Sequence, residues 1–430
     1  MDLIPKPDQL VSAASNVAHK VLYGGIADLR PMPRTLIDEG ELREVYHYRP
    51  VATTRQVGDP VLLVTPLAAP STCYDLRRGC SLVQHFVTEG RPTYLVEYGE
   101  VSFRNRNLGM EHWIDDVVPT AIREVSAHAG GRPVHVVGWS LGGIFAMLTS
   151  ADSPDLPIAS LTVVGSPIDV SLVPIVAPLR PLLQLNPLAG RGAVTRAYQA
   201  MGGAPKPLVK WAFQLSSFQK LITKPLAITT HLDDSEFLAQ IEAVDRFTAG
   251  MIAYPGRTFG QLYHRFVKGN VLKGGRFELD DRTIDLKRIT VPVLVFGGAS
   301  DGIAPVPAVK ALVPLLEGSQ EVRFEIVPGG HLGMLTGRAA RGTTWKVLDE
   351  WIAQWSTPVE GPAPRKRAAA RKSAPAKKSA AKKSATKKAP TKKAPTKKSA
   401  ARTAPTPDQT AIGSNPQRRY GSEGSRQLSR

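Results

Sequence analysis

The chain has 430 residues, of which 42% are hydrophobic, and it carries a formal net charge of +18. The length suffices for one large domain with extensions, and the hydrophobic share is ordinary for a globular core. Residues 365–402 hold 16 Lys or Arg and no acid, and residues 403–430 add a net +2, which leaves residues 1–360 with no net charge. The positive charge therefore belongs to a C-terminal tail and not to the body of the protein.

Three classes of protein are disfavoured at this point. Two cysteines, Cys73 and Cys80, are too few for a disulfide framework and favour a reducing compartment. The first residues lack a basic stretch followed by an apolar region, so we expect no signal peptide. The most apolar segment, residues 170–188, is interrupted by four prolines and Arg180, so we expect no membrane helix there. A cytoplasmic protein is the expectation.

Strands alternate with helices along most of the body. Residues 1–33 form a weakly amphipathic lead-in that ends near Gly24-Gly25. The predicted strands are 44–48, 61–64, 93–97, 134–137, 161–164, 291–296 and 322–327, and the predicted helices are 80–88, 111–127, the stretch after Ser140, 306–316 and 344–355. This alternation predicts an α/β protein with a mostly parallel, doubly wound sheet.

The alternation stops between residues 168 and 286, where no strand is convincing and proline-rich apolar pieces mix with helical ones. We interpret residues 168–286, here called the cap segment, as a mainly helical cap inserted between two parts of a core, 34–167 and 287–358. The alternative is a second packed domain that does not touch substrate. Residues 359–430 form the predicted tail.

The stretch Gly138-Trp139-Ser140-Leu141-Gly142 matches the pattern G-x-S-x-G between a predicted strand and a predicted helix. Strand, tight turn and helix is the context of a nucleophile elbow. The turn holds the serine in a strained backbone conformation, and side chains at its flanking positions would clash. The free N–H groups of the following helix point toward the place where negative charge develops. The alternative is an ordinary glycine-rich turn.

A serine hydroxyl is a weak nucleophile that needs a base, and the base needs an orienting acid. In proteins with this elbow the chain order is Ser, acid, His. Asp301 follows the predicted strand 291–296, and His331 follows the predicted strand 322–327. Sites in parallel sheets are built at the carboxyl ends of strands. We therefore predict a catalytic triad of Ser140, Asp301 and His331 on an α/β-hydrolase fold.

An oxyanion hole is expected beside the elbow. The N–H of Leu141 is one predicted donor, and the second should come from the loop after Val64. Pro66 has no N–H, so the second donor is Leu67 or Ala68, with Leu67 slightly favoured.

Other candidates for chemistry are weaker. His135 lies inside a predicted strand, where a hydrogen-bonded core residue is expected. Neither Cys73 nor Cys80 lies on an elbow, and buried thiols are common, so a cysteine nucleophile is disfavoured. We expect no metal site and no cofactor.

Several stretches carry a resemblance to a known family. They are Thr35-Leu36-Ile37, Tyr46-His47-Tyr48, Asp75-Leu76-Arg77, Ser81-Leu82-Val83, Tyr94-Leu95-Val96, Asp115-Asp116, residues 259–270, 282–286 and 291–294, and Gly330-His331. From about residue 33 to residue 355 the chain resembles the polyhydroxyalkanoate synthase family, and most of all its short, class III-type catalytic subunits. The resemblance implies that Asp301 and His331 act as orienting acid and general base. It also implies a homodimer or a partner subunit.

One departure from the family pattern concerns the reaction. Synthases that this chain resembles place cysteine in the elbow, where this chain has Ser140. A thiolate suits chain extension from acyl-CoA, because the acyl-enzyme is itself a thioester that can be passed on. An acyl-serine is an oxygen ester, less activated toward a second alcohol and readily lost to water. The serine therefore favours hydrolysis of esters or thioesters as the reaction, and polymer synthesis is the alternative that is not excluded.

The tail contains five pentads between residues 377 and 401, KKSAA, KKSAT, KKAPT, KKAPT and KKSAA. They hold no large apolar residue, so this segment cannot bury a core. It resembles the Lys/Ala/Pro-rich tails of bacterial histone-like proteins, and such arms bind polyanions without reading sequence. DNA is the favoured partner of residues 365–402. Acidic membrane or granule surfaces and a merely solvated tail are the alternatives.

Two functions follow. The first is an acyl hydrolase or acyltransferase acting on (hydroxy)acyl esters or acyl-CoA thioesters through the triad. The second is a protein associated with the nucleoid or with granules, whose hydrolase body serves as a scaffold. Both descriptions can hold for one chain.

Overall fold

An eight-stranded sheet is the frame of the protein in this computed structural model, which describes residues 7–174, 176–178, 193–204, 207 and 218–358. The sheet strands are β1 (Arg34–Gly40), β2 (Arg43–Tyr48), β3 (Val61–Val64), β4 (Thr93–Glu97), β5 (Val134–Trp139), β6 (Ile158–Val164), β11 (Val293–Gly298) and β12 (Val322–Val327); the shorter strands outside it are β7 (Gly203–Ala204), β8 (Tyr254–Pro255), β9 (Arg276–Glu278) and β10 (Thr283–Asp285). The order across the sheet is β1-β2-β4-β3-β5-β6-β11-β12.

The five neighbouring pairs from β4 to β12 are parallel, and β2 pairs antiparallel with both β1 and β4. The inner parallel strands are largely buried on both faces, as in β3, whose four residues are fully buried, whereas the edge strand β12 is only partly buried. Leu62 and Val64 join one core and Val61 and Leu63 the other, because successive side chains of a strand alternate between faces.

Helices cover both faces of this sheet. The helices of the described chain are α1 (Pro7–Tyr23), α2 (Leu82–Thr88), α3 (Val118–His128), α4 (Leu141–Asp152), α5 (Ala193–Ala200), α6 (Phe218–Thr230), α7 (Ser235–Ala249), α8 (Gly256–Gln261), α9 (Val306–Lys310), α10 (Gly333–Thr336) and α11 (Thr344–Trp355). Helices α3 and α4 pack with Trp113 in one core, and α2 and α11 pack with Phe296 in the other. The predicted α/β-hydrolase fold with a mostly parallel sheet is confirmed. Among the described residues, no helix is long and apolar enough to cross a membrane.

Three elements differ from the sequence expectation. Strand β1 was not predicted from the sequence, because this edge strand exposes most of its side chains and lacks an apolar pattern. The helix predicted at 306–316 stops at Lys310 and continues only as a 3₁₀ turn, Val313–Leu315, since Pro314 has no N–H to donate to the Lys310 carbonyl. The helix predicted from residue 111 starts as a π-helical turn, His112–Val117, where Pro119 cannot donate to the preceding turn.

The cap segment lies between β6 and β11, and its described part is mainly helical. Contrary to expectation it also contains strands, the pair β7–β8 and the hairpin β9–β10. Pairs of two and three residues are too short to give a periodic signal in the sequence. Two statements stay predictions: that the cap segment covers the candidate site, and where the domain limits lie. The predicted tail, 359–430, lies outside the described residues.

Polar contacts join the cap segment to the core, and several involve residues that carried the family resemblance. Arg77 is buried and bonds both Glu236 and Gln240 on α7, at 2.7 and 3.1 Å. Arg282 pairs with Asp115 and, at 2.7 Å, with Asp152 at the end of α4. These resemblance residues therefore link the cap segment to the core.

Candidate active site

Ser140 lies in the turn between β5 and α4 with a left-handed backbone, φ 55° and ψ −121°. This conformation costs a side-chain-bearing residue free energy and is kept only where the surroundings enforce it. Two hydrogen bonds to the main chain of Ser140 enforce the conformation here. The Ser140 N–H donates to the Val164 carbonyl at 2.8 Å, and the Ser166 hydroxyl donates to the Ser140 carbonyl at 2.6 Å. A strained residue between a strand and a helix is the geometry that a nucleophile elbow requires.

The flanking glycines are required by close backbone contacts. A Cβ on Gly142 would lie 2.4 Å from the Val64 carbonyl oxygen, and one on Gly138 would lie 2.5 Å from the Cα of Gly143. Both neighbours are backbone and cannot move aside as a flexible side chain would. The start of α4 thus packs directly on the end of β3, which brings the elbow against the predicted oxyanion loop.

Asp301 and His331 form a buried pair. Asp301 follows β11 and His331 follows β12, and the Nδ1 of His331 lies 2.8 Å from Oδ2 of Asp301. The other carboxylate oxygen, Oδ1, accepts the N–H groups of Ile303 and Ala304 at 2.8 and 2.9 Å. With both oxygens used and the side chain fully buried, the carboxylate is fixed toward the imidazole.

Strand order brings the three predicted triad residues to one edge. Strands β5, β6, β11 and β12 are consecutive and parallel, so Ser140, Asp301 and His331 all follow carboxyl ends at the same edge of the sheet. Trp139 and Gly165 connect the elbow to the histidine. The Trp139 indole Nε1 donates to the His331 carbonyl at 3.1 Å, and the two rings are 5.0 Å apart. A Cβ on Gly165 would lie 3.4 Å from the imidazole.

The predicted oxyanion donors occupy two different elements. Leu141 is the first residue of α4, where an N–H has no partner within the helix. Leu67 lies in a turn after β3 and is fully buried. The two carbonyls just before that turn are held by phenol groups: Tyr74 donates to Val64 at 2.9 Å and Tyr98 donates to Thr65 at 2.7 Å.

The weaker sequence candidates, Cys73, Cys80 and His135, are all buried. Cys73 and Cys80 are buried, and burial raises the pKa of both thiols, which opposes formation of a nucleophilic thiolate. His135 is buried between the hydroxyls of Ser160 and Ser356, at 2.8 and 2.9 Å. Burial lowers the pKa of His135 to about 4, so the ring is a neutral core residue.

Sequence reasoning did not find Trp139, Gly165 or Ser166 as parts of the site. Gly165 and Ser166 come directly after β6, the strand next to the elbow strand, so position at a strand end was an available signal. For Trp139 the only signal in the sequence was its position within the elbow motif, and that position does not predict the direction of the indole side chain.

The family model described as "Alpha/beta hydrolase family" matches residues 58–341, which include the elbow, Asp301 and His331. The chain belongs to this family. Several curated proteins that it is similar to are named poly(3-hydroxyalkanoate) polymerase subunits. It is 23% identical over 356 residues to "Poly(3-hydroxyalkanoate) polymerase subunit PhaC" of Allochromatium vinosum, a match that covers 81% of this chain and 98% of the relative.

Similar matches reach other organisms. The subunit of the same name from Synechocystis sp. is 24% identical over 330 residues, covering 75% of this chain and 84% of the relative. Among solved structures, a soluble variant of monoglyceride lipase from Saccharomyces cerevisiae is 14% identical, with a TM-score of 0.47 over 77% of this chain and 98% of that one. The relatives support the resemblance stated above: this is a polyhydroxyalkanoate synthase-like α/β-hydrolase and an enzyme of that type.

Proposed function

We propose that this enzyme is a serine acyl hydrolase or acyltransferase that acts on (hydroxy)acyl esters or acyl-CoA thioesters. The observation that carries the proposal is the buried Asp301–His331 pair, 2.8 Å apart, at the sheet edge where Ser140 lies on a strained elbow. Such an arrangement serves to activate a hydroxyl and to stabilise the tetrahedral intermediate of acyl transfer.

In the proposed reaction the Ser140 hydroxyl oxygen attacks the acyl carbonyl carbon while His331 Nε2 takes the hydroxyl proton. Asp301 holds the ring through Nδ1, which fixes the tautomer and stabilises the imidazolium that forms. The N–H groups of Leu141 and Leu67 donate to the oxyanion. His331 then returns the proton to the departing alkoxide or thiolate, and an acyl-serine remains.

The acyl-serine is released when His331 takes a proton from water or from an alcohol that attacks the ester carbonyl. The acyl-serine is an oxygen ester, which is less activated toward a second alcohol than a thioester would be and is readily lost to water. The relatives, named poly(3-hydroxyalkanoate) polymerase subunits, support hydroxyacyl groups as the class of acyl donor. Polymer synthesis by the same serine is the alternative outcome.

Product analysis with 3-hydroxybutyryl-CoA and with short acyl esters tests this proposal. Wild type should release free CoA and free acid, and Ser140→Ala should release neither above background. Ser153→Ala, at the far end of the same helix, is the matched control and should behave as wild type. Polymer in place of free acid would select the synthase alternative, and equal turnover by wild type and Ser140→Ala would refute the assignment.

A second candidate function concerns the tail. Its five lysine-rich pentads favour binding to a polyanion, with DNA first and a granule surface second. This would place a cytoplasmic enzyme at the nucleoid or at granules. DNA binding measured across a salt series should be stronger and more salt-dependent for the full chain than for a chain ending at residue 360. Superimposed curves would exclude the tail as a DNA-binding arm.

A further inference from the structure

The turn that carries Leu67 is closed by two hydrogen bonds of different origin. Within the turn, the Ala69 N–H donates to the Pro66 carbonyl at 3.2 Å. From outside it, the Ile252 N–H donates to the Ala68 carbonyl at 3.0 Å. Ile252 belongs to the cap segment and is 184 residues further along the chain by its number. The cap segment therefore contacts the backbone of the predicted oxyanion loop directly.

These two bonds connect three peptide groups in series. The peptide that joins Ala68 to Ala69 accepts from Ile252 through its C=O and donates to Pro66 through its N–H. The peptide that joins Pro66 to Leu67 accepts this bond through its C=O and has the Leu67 N–H at its other end. In a trans peptide the C=O and N–H point in opposite directions, so a fixed carbonyl fixes the direction of the N–H.

Hydrogen bonds in series polarise one another in a low-dielectric interior. Each carbonyl that accepts a bond makes the N–H of the same peptide a better donor. The series ends at Leu67, which is fully buried, so the polarisation is not screened by water. A donor of this kind is what a developing oxyanion requires.

Apolar contacts from the cap segment hold the same turn. Ala68 packs against the rings of Tyr198, Tyr254 and Phe259, and the Tyr198 and Phe259 rings are 4.4 Å apart. Gly250, two residues before Ile252, lies against Pro70 at the end of the loop. The cap segment therefore packs on this turn from one side, while the Leu67 side chain lies in the same core as Leu141.

We propose that Ile252 is a positioning residue for catalysis, acting through its main-chain N–H on the Leu67 oxyanion donor. The inference rests on the proposed function, since it gives the Leu67 N–H a role in that reaction. Ile252 itself does not touch the reacting atoms.

The test deletes the N–H of Ile252 and keeps its surroundings. Replacement of Ile252 by its α-hydroxy acid exchanges only the N–H for an oxygen, and Ile252→Pro removes the same donor genetically. Ile252→Ala keeps the N–H and is the matched control. We expect kcat for a short acyl ester to fall about 10-fold in both N–H deletions with KM within about twofold, and Ile252→Ala to keep kcat.

Labelling of Ser140 by a fluorophosphonate is the second readout, because the phosphoryl oxygen occupies the oxyanion position. The labelling rate should fall with kcat in the N–H deletions, while thermal unfolding of the α-hydroxy acid variant stays close to that of Ile252→Ala. Wild-type kcat and labelling in the α-hydroxy acid variant would overturn the positioning role. Failure of the proposed function looks different: wild type itself would then turn over ester no faster than Ser140→Ala.

Discussion

The indole of Trp139 donates a hydrogen bond of 3.1 Å to the main-chain carbonyl of His331. The residue immediately before the predicted nucleophile thus holds the predicted base in place, 192 positions further along the chain. Because Trp139 is the last residue of β5, any displacement of that strand is passed to the loop after β12. Elbow and histidine are therefore positioned as one unit.

Replacing Trp139 by Phe tests this unit. The His331 carbonyl would lose its donor, and we expect stability to fall by about 1–3 kcal/mol. A histidine loop displaced by even a fraction of an ångström should lower kcat about 10- to 100-fold. Trp345→Phe is the control, because its indole makes the same kind of bond to a different carbonyl, that of Leu335, at 2.8 Å. A similar stability loss with unchanged kcat is expected there, and equal effects of the two variants on kcat would contradict the prediction.

The variant Asp301→Asn should fold and lose most activity. The amide oxygen can still accept from Ile303 and Ala304, which turns the amide NH₂ toward His331 Nδ1. The imidazole proton then sits on Nε2, which can no longer accept the serine proton, and kcat should fall about 10³- to 10⁴-fold. In Asp349→Asn, which alters a carboxylate 2.7 Å from His85, kcat should stay near wild type. Steady-state kinetics and circular dichroism measure both.

Changing Ser140 to Cys restores the elbow residue of the synthases that the chain resembles. The acyl-enzyme becomes a thioester, which is more activated toward a second hydroxyacyl alcohol. With 3-hydroxybutyryl-CoA we expect the ratio of oligomer to free acid to rise above that of wild type. Chromatography of the products measures this ratio, and an unchanged ratio would show that the protein surroundings, and not the nucleophile, decide the fate of the acyl group.

Gly142→Ala should damage both fold and activity. Its new Cβ would lie 2.4 and 2.6 Å from the carbonyl oxygens of Val64 and Thr65, so the elbow helix and the oxyanion loop must separate. We expect a loss of about 1–3 kcal/mol in the free energy of unfolding and a kcat reduced at least about 10-fold. Gly342→Ala, where a Cβ meets no atom within 4 Å, is the matched control. Chemical denaturation and ester turnover distinguish the two.

Acid should destabilise the protein through His135. Burial lowers its folded-state pKa to about 4, while the unfolded value is the ordinary 6.5. As pH falls below 6.5 the unfolded chain takes up a proton that the folded chain does not, so stability falls by about 3 kcal/mol on reaching pH 4. The nearby Asp59 opposes this shift, and Arg91 and Arg132 reinforce it. Urea unfolding of His135→Gln should show a shallower decline over this window, and parallel profiles would contradict the prediction.

Local patterns were enough to predict the elbow and the order of the triad. The motif around Ser140 acts within a few residues. The strand before Asp301 is a continuous apolar run, and in the strand before His331 apolar residues alternate with Arg323 and Glu325. Strand β1 and the pair β7–β8 were not predicted from the sequence, because an exposed edge strand and a two-residue pair show no periodic pattern of apolar residues. The resemblance residues Arg77 and Arg282 could be named from the sequence, but their role as links between the cap segment and the core could not.

By itself the sequence determined the alternation of buried strands and helices, the glycines of the elbow and the placing of Asp301 and His331 after strands. Each depends on periodicity and on backbone sterics over a few neighbouring residues. Tertiary structure alone decided that Trp139 holds the His331 carbonyl and that Ile252 reaches the Ala68 carbonyl. Those bonds join residues nearly two hundred positions apart, and their geometry follows from how strands and the cap segment pack, which no local pattern specifies.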